Sequence, residues 1–212
     1  MSYHQQLDGE NIIAIMRGVD PKNVSSIAQS LKKGGIRVIE ITLDSPNALE
    51  VIKQLSLEEG DNMLIGAGTV LDPESARMAI HHGAKFIISP TLNIKTIEMT
   101  KRYGVLSIPG CLTPTEILTA YENGADMVKV FPASSMGANY FKDLSGPLSY
   151  IPLIATGGIN ENNIQDFIKS GVTAVGLGSS LIGKKVSDDR DLALLIEKAS
   201  RLVKLVNDCK NN

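Results

Sequence analysis

The chain has 212 residues, of which 43% are hydrophobic and 21% charged, with a formal charge of -2 at pH 7 and a pI of about 5.9. This is enough apolar material for one sizeable core, taken as a single domain over 1–212, and the lysines are mixed with acids rather than blocked together, which argues against nucleic acid or an anionic membrane as partner. No apolar run reaches the length of a membrane span, residues 1–6 lack the regions of a signal peptide, and Cys111 and Cys209 have neither disulfide-framework nor metal spacing, so a cytoplasmic protein without a disulfide framework or a zinc site is expected.

In chain order, the apolar run Ile12–Met16 reads as a first strand ending at Arg17, and a helical stretch then closes at Gly34-Gly35. Val38–Thr42 follows as a second strand with Glu40 inside it, and Met63–Gly68 as a third, running into Thr69. Asp72-Pro73-Glu74 carries an N-cap, a first-turn proline and an early acid, opening a helix that ends at His81-His82 before Gly83. These two histidines read as structural, and with His4 they make no catalytic cluster. Phe86–Ser89, closed by Pro90, is a fourth strand, and Val105–Ile108 after Gly104 is a fifth. Thr113-Pro114-Thr115-Glu116 opens the next helix, which closes at Gly124 before the strand around Lys129. Ile151–Ala155 leads into Thr156-Gly157-Gly158, Asn160–Asn163 signals a helix start, and Gly171 precedes the eighth strand, Ala174–Leu177, with Gly178-Ser179-Ser180 after it. Leu192, Leu194, Leu195, Leu202 and Leu205 place a closing helix over Asp188–Val206, with residues 208–212 frayed.

Helices that close at glycine and hand on to β-branched runs call for a parallel sheet with crossover helices. Eight such units predict an α/β fold, a (β/α)8 TIM barrel, compact beside the usual length of about 250 residues. A doubly wound open sheet is the rival, but Arg17-Gly18-Val19-Asp20 after the first strand is not a glycine-rich phosphate loop.

In a barrel the carboxyl ends of the strands carry the chemistry. Lys129 lies in Met127-Val128-Lys129-Val130-Phe131-Pro132, where burial would press its pKa down and allow a neutral amine to attack a carbonyl. A lysine that snorkels to the surface is the plainer alternative. Glu40 is the second charge inside an apolar strand, and if both face inward each offsets part of the other's burial cost, as a catalytic pair or a structural ion pair. Turns Thr156-Gly157-Gly158 and Gly178-Ser179 follow the last two strands, a frequent phosphate position, and short helices after them would aim free N–H groups at an anion. With Arg17 for a carboxylate, the set describes a phosphorylated keto acid. Cys111 reads as a small buried filler.

These residues carry a resemblance. Gly34-Gly35 to Glu40-Ile41-Thr42, Gly66-Ala67-Gly68-Thr69-Val70, Ile88-Ser89-Pro90, Pro109-Gly110, Lys129-Val130-Phe131-Pro132 and Thr156-Gly157-Gly158 occur in the order found in the 2-keto-3-deoxy-6-phosphogluconate (KDPG) and 4-hydroxy-2-oxoglutarate (KHG) aldolases, a family that the chain resembles from about Ile12 to Leu181. The resemblance implies a metal-independent class I aldolase, with no cofactor, that cleaves KDPG to pyruvate and glyceraldehyde 3-phosphate. It further implies Lys129 as the Schiff-base residue, Glu40 as general acid/base, Arg17 and Thr69 at the carboxylate, Pro90 and Phe131 shaping the pocket, Gly157, Gly158, Gly178 and Ser179 at the phosphate, and a homotrimer. Some relatives carry an arginine where this chain has Asp44, and segments 40–46 and 131–135 look partly like the phosphogalactonate branch, which leaves that substrate, and KHG itself, as alternatives. A phosphosugar epimerase or isomerase on the same barrel and a binding protein without turnover are the other readings.

Overall fold

A computed structural model describes residues 7, 9–183, 186 and 188–210. The reading of His4, of residues 1–6 and of residues 211–212 lies outside them. Nine parallel strands form one sheet in the order β5-β4-β3-β2-β1-β9-β8-β7-β6. They are β1 (Ile12–Met16), β2 (Val38–Thr42), β3 (Leu64–Gly68), β4 (Phe86–Ile88), β5 (Leu106–Ile108), β6 (Gly110–Cys111), β7 (Val128–Val130), β8 (Leu153–Thr156) and β9 (Ala174–Leu177).

Nine strands rather than eight arise because a two-residue strand, β6, follows the fifth predicted strand beyond Pro109. Proline has no N–H to give to a ladder, so the segment changes partners there. β5 pairs with β4, whereas β6 pairs with β7, and the Lys129 N–H donates to the Pro109 carbonyl at 2.9 Å. One bent segment thereby bridges the two ends of the strand order, and the architecture is a (β/α)8 TIM barrel with its fifth stave broken.

The helices between strands are α1 (Val24–Lys33), α2 (Ala48–Glu59), α3 (Pro73–His81), α4 (Ile94–Arg102), α5 (Pro114–Glu122), the short α6 (Ala133–Met136), α7 (Ala138–Ser145) and α8 (Ile164–Lys169), with α9 (Asp189–Lys210) closing the chain. The start signals of α3 and α5 act as expected. Asp72 accepts the Ser75 N–H at 2.6 Å, and Thr113 with Glu116 forms a reciprocal capping box behind Pro114. Before β7 the turn is made by Gly124, at φ 94, a conformation that costs a side-chain-bearing residue strain.

The closing helix departs from the reading in two ways. It continues to Lys210 rather than fraying after 207, and its buried stripe is Leu195, Ala199, Leu202 and Val206, leaving Leu194 54% exposed. It sits so close to the end of α1 that a side chain at Gly34 would strike Ala199. Among the described residues no helix is long and apolar enough to cross a membrane.

Strand parity divides the apolar residues into two layers. Ile13, Val38, Leu64, Phe86, Ile88, Leu106, Ile108, Ile154 and Ala174 cluster inside the barrel with Leu7. Their strand neighbours, among them Ile12, Ile39, Ile65, Ile87, Val128, Val130, Ala155 and Val175, pack outward in the larger layer under the helices. Side chains alternate along a strand, so Glu40 faces inward with Val38, and Lys129 faces inward between the outward Val128 and Val130.

Candidate active site

The carboxyl ends of β1, β2, β7, β8 and β9 wall a cleft of about 930 Å³, with Glu40 and Lys129 at its floor. Arg17 to Asp20, Phe131, Thr156 to Asn160, Gly178 to Ser180 and Val186 form its sides and rim. Both floor charges are buried, Lys129 to 5% and Glu40 to 1% exposure. Register sets their height: Glu40 stands opposite Ile15 and Gly66, and Lys129 opposite Gly110 and Ile154.

Among the described residues no ion pair or hydrogen bond joins Glu40 to Lys129, and Glu40 Oε2 has no hydrogen-bond partner. Each group therefore bears its desolvation with only partial compensation. Burial lowers the Lys129 pKa, opposed by the Glu40 charge and assisted by Arg17. Burial raises that of Glu40, opposed by Lys129 and Arg17 and assisted by Asp44. The Lys129 Nζ lies 5.0 Å from the centroid of the Phe131 ring, which is itself 40% exposed at the mouth. An unpaired amine shifted toward neutrality beside a carboxylate shifted toward protonation is a nucleophile next to a proton carrier.

Two glycines on the inner face of β3 make room for this floor. A Cβ at Gly66 would enter the Phe86 ring, and one at Gly68 would collide with Glu40 Oε1 and lie 2.7 Å from its Cδ. Gly68 is thus the wall against which the Glu40 carboxyl rests, a role that its place in a glycine-rich strand end does not reveal.

Arg17 is held at the rim. Its Nη2 donates to Thr69 Oγ1 at 2.9 Å, its Nη1 lies 3.7 Å from Asp44 Oδ2, and Thr69 adopts a left-handed φ of 56 to meet it. Ser45 ties the same two loops together by accepting the Gly18 N–H at 2.8 Å and bonding the Thr42 hydroxyl at 2.9 Å. Thr69 therefore reaches the site through Arg17 rather than as cleft wall, while Pro90 lies outside the wall with its backbone against Gly110. The other proposed residues, Thr156, Gly157, Gly158, Gly178 and Ser179, do converge on the cleft. Thr156 Oγ1 is buried there without a hydrogen-bond partner among the described residues.

The helix signalled at Asn160–Asn163 does follow the first glycine turn, but among the described residues neither turn runs straight into a helix. α8 begins only at Ile164, and after β9 the chain makes a turn, with Leu181 and Ile182 both donating to the Gly178 carbonyl, before α9 at Asp189. Gly157 and Gly158 have φ of 92 and 74, which turns the chain away from a helical path. The anion-binding capacity lies in the turns themselves, where among the described residues the amides of Gly158, Ser179 and Ser180 have no acceptor. Val19, Asn23 and Asn160 also line the cleft. The sequence reading took Asn160 only as a helix start and passed over the other two, which follow β1 without a motif. Cys111 is a filler on the outer layer, its thiol pushed up to about 12 by burial and then by Glu116. Among the described residues no cluster of His, Cys, Asp or Glu could hold a metal ion.

Known proteins resemble this chain in sequence and fold. The 2-dehydro-3-deoxy-6-phosphogalactonate aldolase of Escherichia coli (strain K12) is 36% identical over 193 residues, 90% of this chain and 94% of that one. The 2-dehydro-3-deoxy-phosphogluconate aldolase of Pseudomonas aeruginosa is 36% identical over 192 residues, 90% of this chain and 84% of that one. Among solved structures, one described as native KDPGal superposes with a TM-score of 0.90 at 34% identity, covering 95% of this chain and 96% of that one. The family model for KDPG and KHG aldolase matches residues 4–198. The chain belongs to the KDPG and KHG aldolase family, and it is a lyase.

Proposed function

We propose that this aldolase works through a Schiff base on Lys129 and cleaves a phosphorylated 2-keto-3-deoxy sugar acid to pyruvate and glyceraldehyde 3-phosphate. The observation that carries the reading is a lysine buried to 5% exposure, without an ion-pair partner among the described residues, on the floor of a cleft that it shares with Glu40. In this mechanism the neutral Lys129 Nζ adds to the C2 ketone, and Glu40 relays protons while the carbinolamine loses water to give the iminium. Glu40 then takes the C4 hydroxyl proton, the C3–C4 bond breaks, and its electron pair moves into the iminium to leave an enamine and the aldehyde. Protonation at C3 and addition of water return pyruvate and free Lys129. Arg17 binds the carboxylate, and the turns at Gly157-Gly158 and Gly178-Ser179 bind the phosphate, whose remote binding energy orients the chain for cleavage.

The gluconate-derived acid is the first substrate reading, with KHG as a smaller relative. The galactonate-derived epimer is the second, favoured by the match over 94% of a phosphogalactonate aldolase. The family resemblance adds a cytoplasmic homotrimer, built from a domain that spans 1–212. Borohydride reduction in the presence of pyruvate tests the chemistry. A reduced adduct mapped to Lys129 is expected, together with loss of turnover in Lys129→Arg, because a guanidinium stays protonated. Pyruvate release by Lys129→Arg at more than a trace of the parent rate sinks the proposal. Assays on the two epimeric acids and on KHG, run side by side, decide the substrate.

A further inference from the structure

The phosphate reading leaves open what holds the Gly157-Gly158 turn in one shape, since two successive glycines with left-handed φ have no side chain to fix them. Hydrogen bonds to both of their carbonyls supply the answer. The Gly157 carbonyl accepts the Ser134 N–H at 3.0 Å. The Gly158 carbonyl accepts Nδ2 of Asn163 at 3.0 Å and Nδ2 of Asn160 at 3.3 Å. Asn163 also accepts the Asn160 N–H on its Oδ1 at 2.8 Å, so both ends of its amide are engaged and the segment from 158 to 163 is closed into a ring.

A peptide is planar and trans, so its carbonyl and the N–H of the next residue point in opposite directions. Fixing the Gly157 carbonyl fixes the Gly158 N–H, and fixing the Gly158 carbonyl fixes the Ile159 N–H. Gly157, Gly158 and Ile159 all line the cleft, whereas Asn163 does not. From the cleft wall outward the brace continues to Glu161, whose carboxylate receives Nε and Nη2 of Arg201 on α9 at 2.5 and 2.9 Å. The loop is thus anchored on one side by its own amides and on the other by the closing helix.

We propose that Asn163 is a positioning residue for the phosphate end of the substrate. It touches no substrate, and by holding the Gly158 carbonyl it presets the Ile159 amide as an anion donor. This inference rests on the phosphate reading above. Asn163→Asp is the sharpest variant, because it keeps the acceptor for the Asn160 N–H while setting an oxygen against the Gly158 carbonyl. Asn163→Ala removes both bonds.

The readout is kcat/KM on the phosphorylated 2-keto-3-deoxy acid and on unphosphorylated 4-hydroxy-2-oxoglutarate, with inorganic phosphate as competitive inhibitor of the second. Both variants are expected to lose about tenfold on the phosphorylated substrate, the scale of one charge-assisted hydrogen bond, and to bind inorganic phosphate correspondingly less well. Cleavage of the unphosphorylated substrate should stay within about twofold of the parent by the same reasoning. Equal losses on both substrates would mean a merely structural role and overturn the proposal, as would unchanged values on the phosphorylated one. If Asn163→Ala does not fold, Asn163→Asp alone decides. A parent protein that shows no preference for the phosphorylated acid and no inhibition by phosphate overturns the phosphate reading itself. A parent that shows both, with variants that keep them, overturns only the role of Asn163.

Discussion

Gly68→Ala offers a direct test of whether the Glu40 carboxylate has to stand where it does. Gly68 lies in β3 outside the left-handed region, so alanine meets no backbone strain there. Its methyl would lie 2.7 Å from Glu40 Cδ, against about 3.4 Å for an ordinary contact, so the carboxyl end must withdraw by about 0.7 Å. Because the obstructing atoms are the far end of a flexible side chain, the movement costs little stability. Displacement of a reacting group by about 1 Å costs on the order of 100-fold in rate, or about 2.7 kcal/mol of barrier. The expectation is therefore a kcat lowered roughly 30- to 100-fold with Tm almost unchanged. Gly66→Ala is the control on the same face of the same strand. Its methyl meets the Phe86 ring in the closed barrel interior, so it should cost about 1–3 kcal/mol of stability and leave the activity of the folded fraction near that of the parent. Steady-state kinetics with thermal denaturation of both variants separates the cases. Parent-like kcat in folded Gly68→Ala would refute the placement of Glu40 in proton transfer.

Two further outcomes follow from the charges of the cleft. Burial lowers the Lys129 pKa, so the nucleophilic amine is released as pH rises through a value below the ordinary lysine pKa of about 10.4, and kcat/KM should rise over that lower range. A rise centred at or above about 10.4 contradicts the desolvated lysine. Asp44→Asn removes a carboxylate 3.7 Å from Arg17 that competes with the substrate's own carboxylate, and the pair is exposed, so KM should fall by no more than about fivefold with kcat little changed. The gain should shrink at high salt; a KM that rises instead would show that Asp44 orients Arg17 rather than competing for it.

Much of the barrel was legible because its signals are local. Strands β1, β2 and β9 fall where β-branched runs predict them, and Asp72 and Thr113 cap helices through side chains adjacent in sequence. What was not legible has a different origin. The fifth strand lies where it was expected, but the change of partner at Pro109 was not legible, because barrel closure demands a partner on each side, a condition set by strands far away in the chain. The leucines of α9 announced a helix but not its buried stripe, which runs through Ala199 and Val206 and leaves Leu194 exposed, with Ala199 set against Gly34 at the end of α1. The helix signalled at Asn160–Asn163 does begin at Ile164, but that the Asn160 and Asn163 side chains reach back to the Gly158 carbonyl is not announced by any local signal. Thr69 and Pro90 were legible as strand ends, but that Thr69 meets Arg17 and that Pro90 packs against Gly110 follows from the closed barrel.

By itself the sequence determined which positions could matter: a lysine and a glutamate inside apolar strands, Glu40 on the same face as Val38 and Lys129 on the face opposite Val128 and Val130. Period two can be read without knowing the neighbours, but which of the two faces is the interior of the barrel was left to the tertiary structure. Only the tertiary structure decided that the two charges stand together at the floor of one cleft, without an ion pair among the described residues, with Gly68 behind the carboxylate and Phe131 beside the amine. That outcome depends on the register of β1, β2 and β3 and on closure through β6 and β7, which set height and distance between segments remote in sequence. The same holds for Arg17 between Thr69 and Asp44, and for Asn163 beneath Gly158: side chains that meet across loops follow no period, and their partners emerge only when the barrel has closed.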